Sequence, residues 1–149
     1  MENLQFKAMY ETMNRNITDI KSMLGKLRPE VLATPEGVQA MERVKYMFYG
    51  LVKFLIDTGN QILIERDRDR PINNADIFIH LAEEQVILST SVPGVKKAVL
   101  AMPRIGYSSY VEVKNMIGES ISDLHTCLDA FAAYFMDTTT TPENPISEP

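Results

Sequence analysis

The stretch 46-YMFYGLVKFLIDTGNQIL-63 carries apolar residues on almost every side of a helical wheel. Met41, Val44, Phe48, Leu51, Leu55 and Ile62 form one stripe, and Met47, Val52, Phe54 and Ile56 extend it around much of the circumference. Upstream, Thr34-Pro35-Glu36 supplies a hydroxyl cap followed by proline in the first turn, a combination that starts helices. The pattern predicts a long helix over about 35–65. A helix apolar nearly all round is surrounded by partners, so this segment is expected at the centre of a helical bundle, within one subunit or shared between two.

The flanking segments fit the same architecture. Phe6, Met9, Met13, Ile17, Ile20 and Leu24 recur at three- and four-residue steps, which predicts a first helix over 2–27. Gly25 and Arg28-Pro29 end it, and 28-RPEVLATPEG-37 reads as a loop. The alternating charges of 65-ERDRDRP-71 read as a solvated turn. Asn73 or Asn74 then caps a short helix over 74–84, and Ser91 caps another over 92–102 that Pro103 stops or kinks. Val113, Met116, Ile117, Ile121, Leu124, Leu128, Phe131 and Phe135 give a closing helix over about 111–137. No segment sustains the two-residue alternation of a strand. The expected fold is all-α: one antiparallel bundle domain over 1–137, with three long and two short helices. The tail 138-TTTTPENPISEP-149 is polar and proline-rich and is expected to be disordered.

Composition narrows function further. Hydrophobic residues make up 45% of 149, which suits a packed core, and a formal charge of −5 gives no general attraction to nucleic acid or anionic membrane. One cysteine, Cys127, permits neither an intramolecular disulfide nor a cysteine-based zinc site. The start MENLQFKAMYE lacks a secretory pattern. The run 46-YMFYGLVKFLI-56 contains a lysine and is shorter than the roughly 20 residues of a membrane span. A soluble cytoplasmic protein is expected, with no bound metal or cofactor.

Several residues are candidates for chemistry. His80 and His125 lack the Glu-x-x-His spacing of metal sites in bundles, and read as surface or structural residues. Ser, His and Asp in 119-ESISDLHT-126 cannot form a nucleophile relay along one helix, and the 7 glycines form no phosphate loop. Asp57 and Asn60 sit in the apolar central helix, where a carboxylate is costly unless paired. They read either as a polar clasp that fixes helix register, with Lys53 one turn away, or as a site-facing acid. Lys96, Lys97, Arg104 and Lys114, with Tyr107 and Tyr110 among them, make either a small RNA-binding surface or an ordinary solvated face.

The segments 56-IDTGNQIL-63, 75-ADIFIHLAEEQVI-87, the short helix before residue 103 and the closing helix resemble, in order and spacing, the HepT-like branch of HEPN proteins. Within them, 80-HLAEEQVI-87 is similar to that family's recurring Leu-x-(Asp/Glu)-Glu-x-Val-Ile block, and Leu-Ile-Asp-Thr-Gly-Asn resembles the YutE-like subgroup. The likeness covers roughly residues 38–137. It implies a HEPN-type bundle that dimerises with its active-site segments facing each other. It also implies metal-independent ribonuclease chemistry of the toxin–antitoxin kind, built on Arg, four residues, His, one residue, Tyr. In such a motif arginine forks onto phosphate and histidine moves the proton of the 2′-hydroxyl or leaving oxygen. A partner nucleotidyltransferase can modify the motif's tyrosine and silence the nuclease.

The stretch 101-AMPRIGYSSYVEV-113 departs from that motif in either register. Counting from Arg104 puts Ser109 at the histidine position and Val111 at the tyrosine position. Aligning on Tyr110 puts Ser108 at the histidine position and Pro103 at the arginine position, and this register needs no gap against the preceding helix. Serine does not titrate near neutrality. The leading expectation is therefore a catalytically impaired HepT-like homodimer. Arg104 and Tyr110 are the vestigial catalytic pair, and Asp57, Tyr107, Ser108 and Ser109 are binding residues for RNA, a nucleotide or a partner protein. The alternatives are an active nuclease using Arg104, Tyr110 and Asp57, and a structural or adaptor dimer.

Overall fold

A computed structural model describes residues 3–136. The tail over 138–149, expected to be disordered, lies outside the described residues. Within them the chain is all-α: α1 spans Asn3–Lys26, α2 Pro29–Leu32, α3 Pro35–Glu65, α4 Ile77–Glu83, α5 Val92–Ile105 and α6 Tyr110–Met136. Short 3-10 turns at Asn74–Asp76 and Ser89–Ser91 lead into α4 and α5. No strand occurs among the described residues.

The three long helices take up the apolar stripes read from the sequence. Phe6, Ile17 and Ile20 of α1, Met41, Phe48, Leu51, Leu55 and Ile62 of α3, and Phe131 of α6 are fully buried together. The ring of Phe6 lies 4.8 Å from Phe135 and 5.8 Å from Phe54, which locks α1 against both partners. Cross-helix bonds give the directions. Tyr10 and Asn14 reach Asp129 and His125, so α1 and α6 run antiparallel. Glu42 and Glu65 of α3 meet Tyr110 and Tyr134, so α3 and α6 run parallel. Gly94 and Lys97 lie beside Asp123 and Glu119, which makes α5 antiparallel to α6.

Local chemistry sets the boundaries. Thr34 Oγ1 accepts from the Gly37 N–H at 3.0 Å and Pro35 occupies the first turn, as the sequence predicts for the start of α3. Asn73 likewise caps the turn before α4, accepting from Ala75 N–H at 2.8 Å. Helices α3 and α4 both end in the double turn in which a left-handed residue folds the chain back on the last carbonyls. Arg68 N–H reaches Leu63 O and Val86 N–H reaches Leu81 O, while Asp67 (φ 58°) and Gln85 (φ 61°) take the left-handed position without being glycine. The block resembling the family signature lies here. Leu81 and Ile87 are buried, and Glu83 and Glu84 receive the guanidinium groups of Arg66 and Arg68 from the supposedly solvated turn.

Four expectations are corrected. The loop over 28–37 contains a helical turn, α2, because Pro29 sits at its first position and Leu32 finds a buried place. Ser91 donates its hydroxyl to Leu88 O at 2.8 Å and does not cap α5 through its side chain. Helix α5 does not stop at 102. It passes through Pro103 to Ile105, whose side chain is fully buried. A proline this near the end removes one N–H from the last turn, and outside donors support that turn: Tyr49 hydroxyl donates to Met102 O at 3.3 Å. Finally, α3 is not covered all round within one subunit. Tyr46, Gly50, Lys53, Asp57 and Ile64 lie exposed along one side.

Candidate functional site: the corner between α5 and α6

The segment at the place of the resembled motif forms the tight corner joining α5 to α6. Ser109 and Glu112 cap α6 reciprocally: Glu112 N–H donates to Ser109 Oγ at 3.2 Å, and Ser109 N–H donates to Glu112 Oε1 at 2.9 Å. This is the Ser-x-x-Glu capping box. The bonds from Ser109, aided by the nearby Arg104 charge, hold the Glu112 carboxyl below the usual carboxylate range. Ser108 serves the other helix. Its hydroxyl donates to Arg104 O at 2.8 Å, and the same oxygen accepts from the N–H groups of Tyr107 and Ser108. Both serines at the motif's histidine positions thus complete helix ends.

Tyr110, the first residue of α6, lies half-buried and donates its hydroxyl to Glu42 of α3 at 2.6 Å. Lys45, one turn along, bonds the same carboxylate at 3.2 Å and sits 5.6 Å from the centre of the Tyr110 ring. The Tyr110 bond, then Lys45, lowers the Glu42 pKa, and the same bond raises that of Tyr110. Glu42, Lys45, Tyr107, Ser108, Ser109 and Tyr110 line an open depression of about 500 Å³. Tyr107 stands at its edge with 78% of its surface exposed.

The depression thus unites Tyr107, Ser108, Ser109 and Tyr110, and adds two residues that sequence reasoning missed. Glu42 and Lys45 are ordinary surface charges in sequence, and only the docking of the corner against the first turns of α3 gives them a role. Arg104 does not join them. It points along α5 into a second groove, of about 510 Å³, with Lys96, Lys97 and Leu100. Asp57 lies 15 residues beyond Glu42 on the same helix, about 22 Å along its axis. It is exposed and paired with Lys53 at 3.0 Å, so it neither clasps another helix nor faces the corner. The enclosed polar atoms in that part of α3 are Thr58 Oγ1 and Asn60 Oδ1, which have no partner among the described residues.

The candidate basic, aromatic surface also separates. Lys96 lies 3.8 Å from Asp76, Lys97 bonds Glu119 at 3.3 Å, and Lys114 donates to Leu27 O at 2.9 Å. Neither histidine lines the depression. His80 Nδ1 accepts from Arg68 at 2.7 Å, and His125 bonds Asn14 at 3.0 Å. No group of three or more His, Cys, Asp or Glu side chains is placed to hold a metal among the described residues. Nor is any described helix long and apolar enough to cross a membrane. What the corner offers is a planar exposed ring, hydroxyls and a neutralised charge pair.

With that geometry in view, the fold has a counterpart. It is similar to the structure of YutE, a cytosolic protein of unknown function from Bacillus subtilis. The TM-score is 0.61 at 16% sequence identity, over 90% of this chain and 94% of that one. At that identity the likeness is one of fold. No protein-family model and no curated protein matches the chain.

Proposed function

We propose that this chain is a cytoplasmic HepT-like HEPN protein that forms a homodimer, has lost ribonuclease chemistry, and binds RNA or nucleotide bases at the Tyr107–Tyr110 depression. The likeness in fold to YutE supports the scaffold. The observation that carries the loss of catalysis is the use of the two serines. Ser108 and Ser109 stand where the motif's histidine would act, and both are engaged by helix ends. Arg104 in the other groove and Asp57 some 22 Å along α3 leave the active-nuclease reading without an assembled set of groups within the subunit. The exposed Tyr107 ring favours stacking with a base, an interaction open to any unpaired nucleotide. A nucleotidyltransferase partner has no nuclease to silence in this reading.

Purified protein and labelled single-stranded RNA test it. The expected result is no cleavage and binding that varies little with salt and weakens several-fold in Tyr107→Ala. Cleavage that disappears in Arg104→Ala or Tyr110→Phe overturns the loss of chemistry, and binding unaffected by Tyr107→Ala overturns the site. An adaptor dimer is the reading favoured by the uncovered side of α3, where Tyr46 and Ile64 are 80% and 63% exposed. A dimer that loses self-association in Tyr46→Glu, with no RNA binding, supports it.

A further inference from the structure

The groove that takes Arg104 runs along the outer side of α4 and α5. Its floor is apolar, formed by Ile79, Val92, Pro93 and Leu100, and Lys96, Lys97 and Arg104 stand along its edge. Leu100 is 58% exposed, a large side chain left open between cations. The depression continues past Ala82 and Ser89, where one carboxylate, Glu83, is held by Arg68 at 3.1 Å. The lysines pair with Asp76 and Glu119, whose side chains are 43% and 59% exposed, and such pairs are worth little and readily exchanged. Arg104 makes no ion pair among the described residues. The charge is concentrated as well as open. No Asp or Glu occurs between Glu84 and Glu112, a stretch that holds all three cations, although the chain as a whole carries −5. Such a surface is complementary to one that brings carboxylates and aliphatic side chains together.

We propose that the groove between α4 and α5 is a docking site for an acidic amphipathic helix of a partner protein. Backbone chemistry decides between a helix and an extended segment. The groove is walled by helices, and no strand offers an edge among the described residues. An extended peptide on this apolar floor finds no partners for its N–H and C=O groups, whereas a helix satisfies its own. The spacing on α5 defines the partner further. Lys97 and Arg104 stand two turns apart, about 10 Å, with Leu100 between them. A partner helix with Asp or Glu seven residues apart sets these acids against Lys97 and Arg104. Leu, Ile or Val at the third and fourth positions between them then cover Leu100 and Ile79. The run from Val92 to Arg104 is about 18 Å long, which accommodates about three turns of such a helix. RNA fits less well, because the floor is aliphatic and offers no aromatic ring on which a base could stack. The groove shares no lining residue with the Tyr107–Tyr110 depression, and the inference does not depend on the RNA reading.

A phage-displayed library of random peptides of about 16 residues, long enough to span the groove as a helix, tests it when panned on the full chain. The enriched peptides are synthesised and titrated against the full chain and against Leu100→Glu, Arg104→Glu and the milder Lys96→Gln/Lys97→Gln, with thermal unfolding confirming that each variant is folded. The expected peptides are acidic, carry the seven-residue acid spacing around an aliphatic pair, and gain helical circular dichroism on binding. Their affinity falls roughly tenfold or more in Leu100→Glu and in Arg104→Glu. It also falls in salt at about 1 M, where screening reaches within about 3 Å. No enrichment, enriched peptides without acidic residues, or equal binding to all the variants overturns the proposal. So does displacement of the peptides by single-stranded RNA, which assigns the groove to nucleic acid. Self-association of the full chain that disappears in Leu100→Glu assigns the groove to a second copy and overturns it as well.

Discussion

Replacing Ser109 by alanine separates a helix cap from a binding group at the corner between α5 and α6. The substitution removes the Oγ acceptor of Glu112 N–H, 3.2 Å away at the start of the 27-residue α6. It leaves intact the backbone N–H that donates to the Glu112 carboxylate. Loss of a serine cap costs about 1 kcal/mol in typical hosts, within about 0.5–2. The bond here is long and water can replace it, which places the cost near the lower half of that range. In a domain of this size such a loss lowers Tm by about 2–4 °C. Ser108→Ala is expected to cost less, because Arg104 O keeps two backbone donors after the hydroxyl is gone. Ser109→Asn, which restores a capping acceptor, is expected to recover most of the stability. Urea unfolding followed by far-UV circular dichroism measures all three, with RNA binding recorded on the same samples. If Ser109→Ala unfolds at the wild-type midpoint yet abolishes RNA binding or cleavage, the serine belongs to a site and the capping argument is refuted.

Gly37→Ala drives a Cβ into the carbonyl oxygen of Val31, a backbone atom that cannot swing aside. A loss of about 1–3 kcal/mol, as for other overpacked positions, is expected in the same unfolding assay. Gln85→Gly is expected to stabilise by about 0.5–1 kcal/mol, since an exposed side chain is removed from a left-handed position (φ 61°) that glycine occupies freely. The pH dependence follows from the shifted groups. Glu42, Glu84 and Glu112 have lowered pKa values, so their contribution is complete above the ordinary glutamate value of about 4.3 and disappears as pH falls through the folded values. Tyr10 and Tyr110 have raised values, so theirs is complete below about 10 and disappears as pH rises further. Urea midpoints are expected to be flat between about pH 5 and 9 and to fall on both sides. A midpoint that rises between pH 5 and 3 contradicts the carboxylate bonds.

The long helices were legible because burial imposes a 3.6-residue period wherever one side of a helix meets the core, and α1, α3 and α6 all obey it. The start of α3 was legible because Thr34-Pro35 meets two requirements of a helix N-terminus at once. Asp57 was misplaced for a related reason. Where apolar residues wrap most of a helix, periodicity does not say which side its neighbours leave open. The signal that could have told is the run Gly50, Lys53, Asp57, small or charged at steps of three and four. Pro103 was overvalued as a stop. The rule concerns the missing N–H and the clash with the preceding turn, whereas buried Ile105 and the Tyr49 hydroxyl, 53 residues away from Met102 in sequence, hold the last turn together. The bond between Tyr110 and Glu42 spans 68 residues of sequence, beyond any local pattern. Ser109-Tyr110-Val111-Glu112, by contrast, is a visible capping box, readable from sequence by helix chemistry alone.

Four residues, Gly106 to Ser109, join a 14-residue helix to a 27-residue one, and both serines complete the helix ends. A histidine at position 109 gives up the cap of α6, and at position 108 it gives up a bond to the end of α5. Tyr107 and Arg104 remain open, and they face different surroundings. Tyr107 borders Glu42 and Lys45, whose charges cancel, which in the proposed reading suits an uncharged planar group such as a base better than a phosphate. Arg104 stands with Lys96 and Lys97 above an apolar floor. Arg104 also lies near enough to act on the carboxylate of Glu112, which caps the helix that begins with Tyr110. Neutralising Arg104 from the groove side therefore weakens one of the charges that support the corner, a modest electrostatic link between two surfaces that share no lining residue.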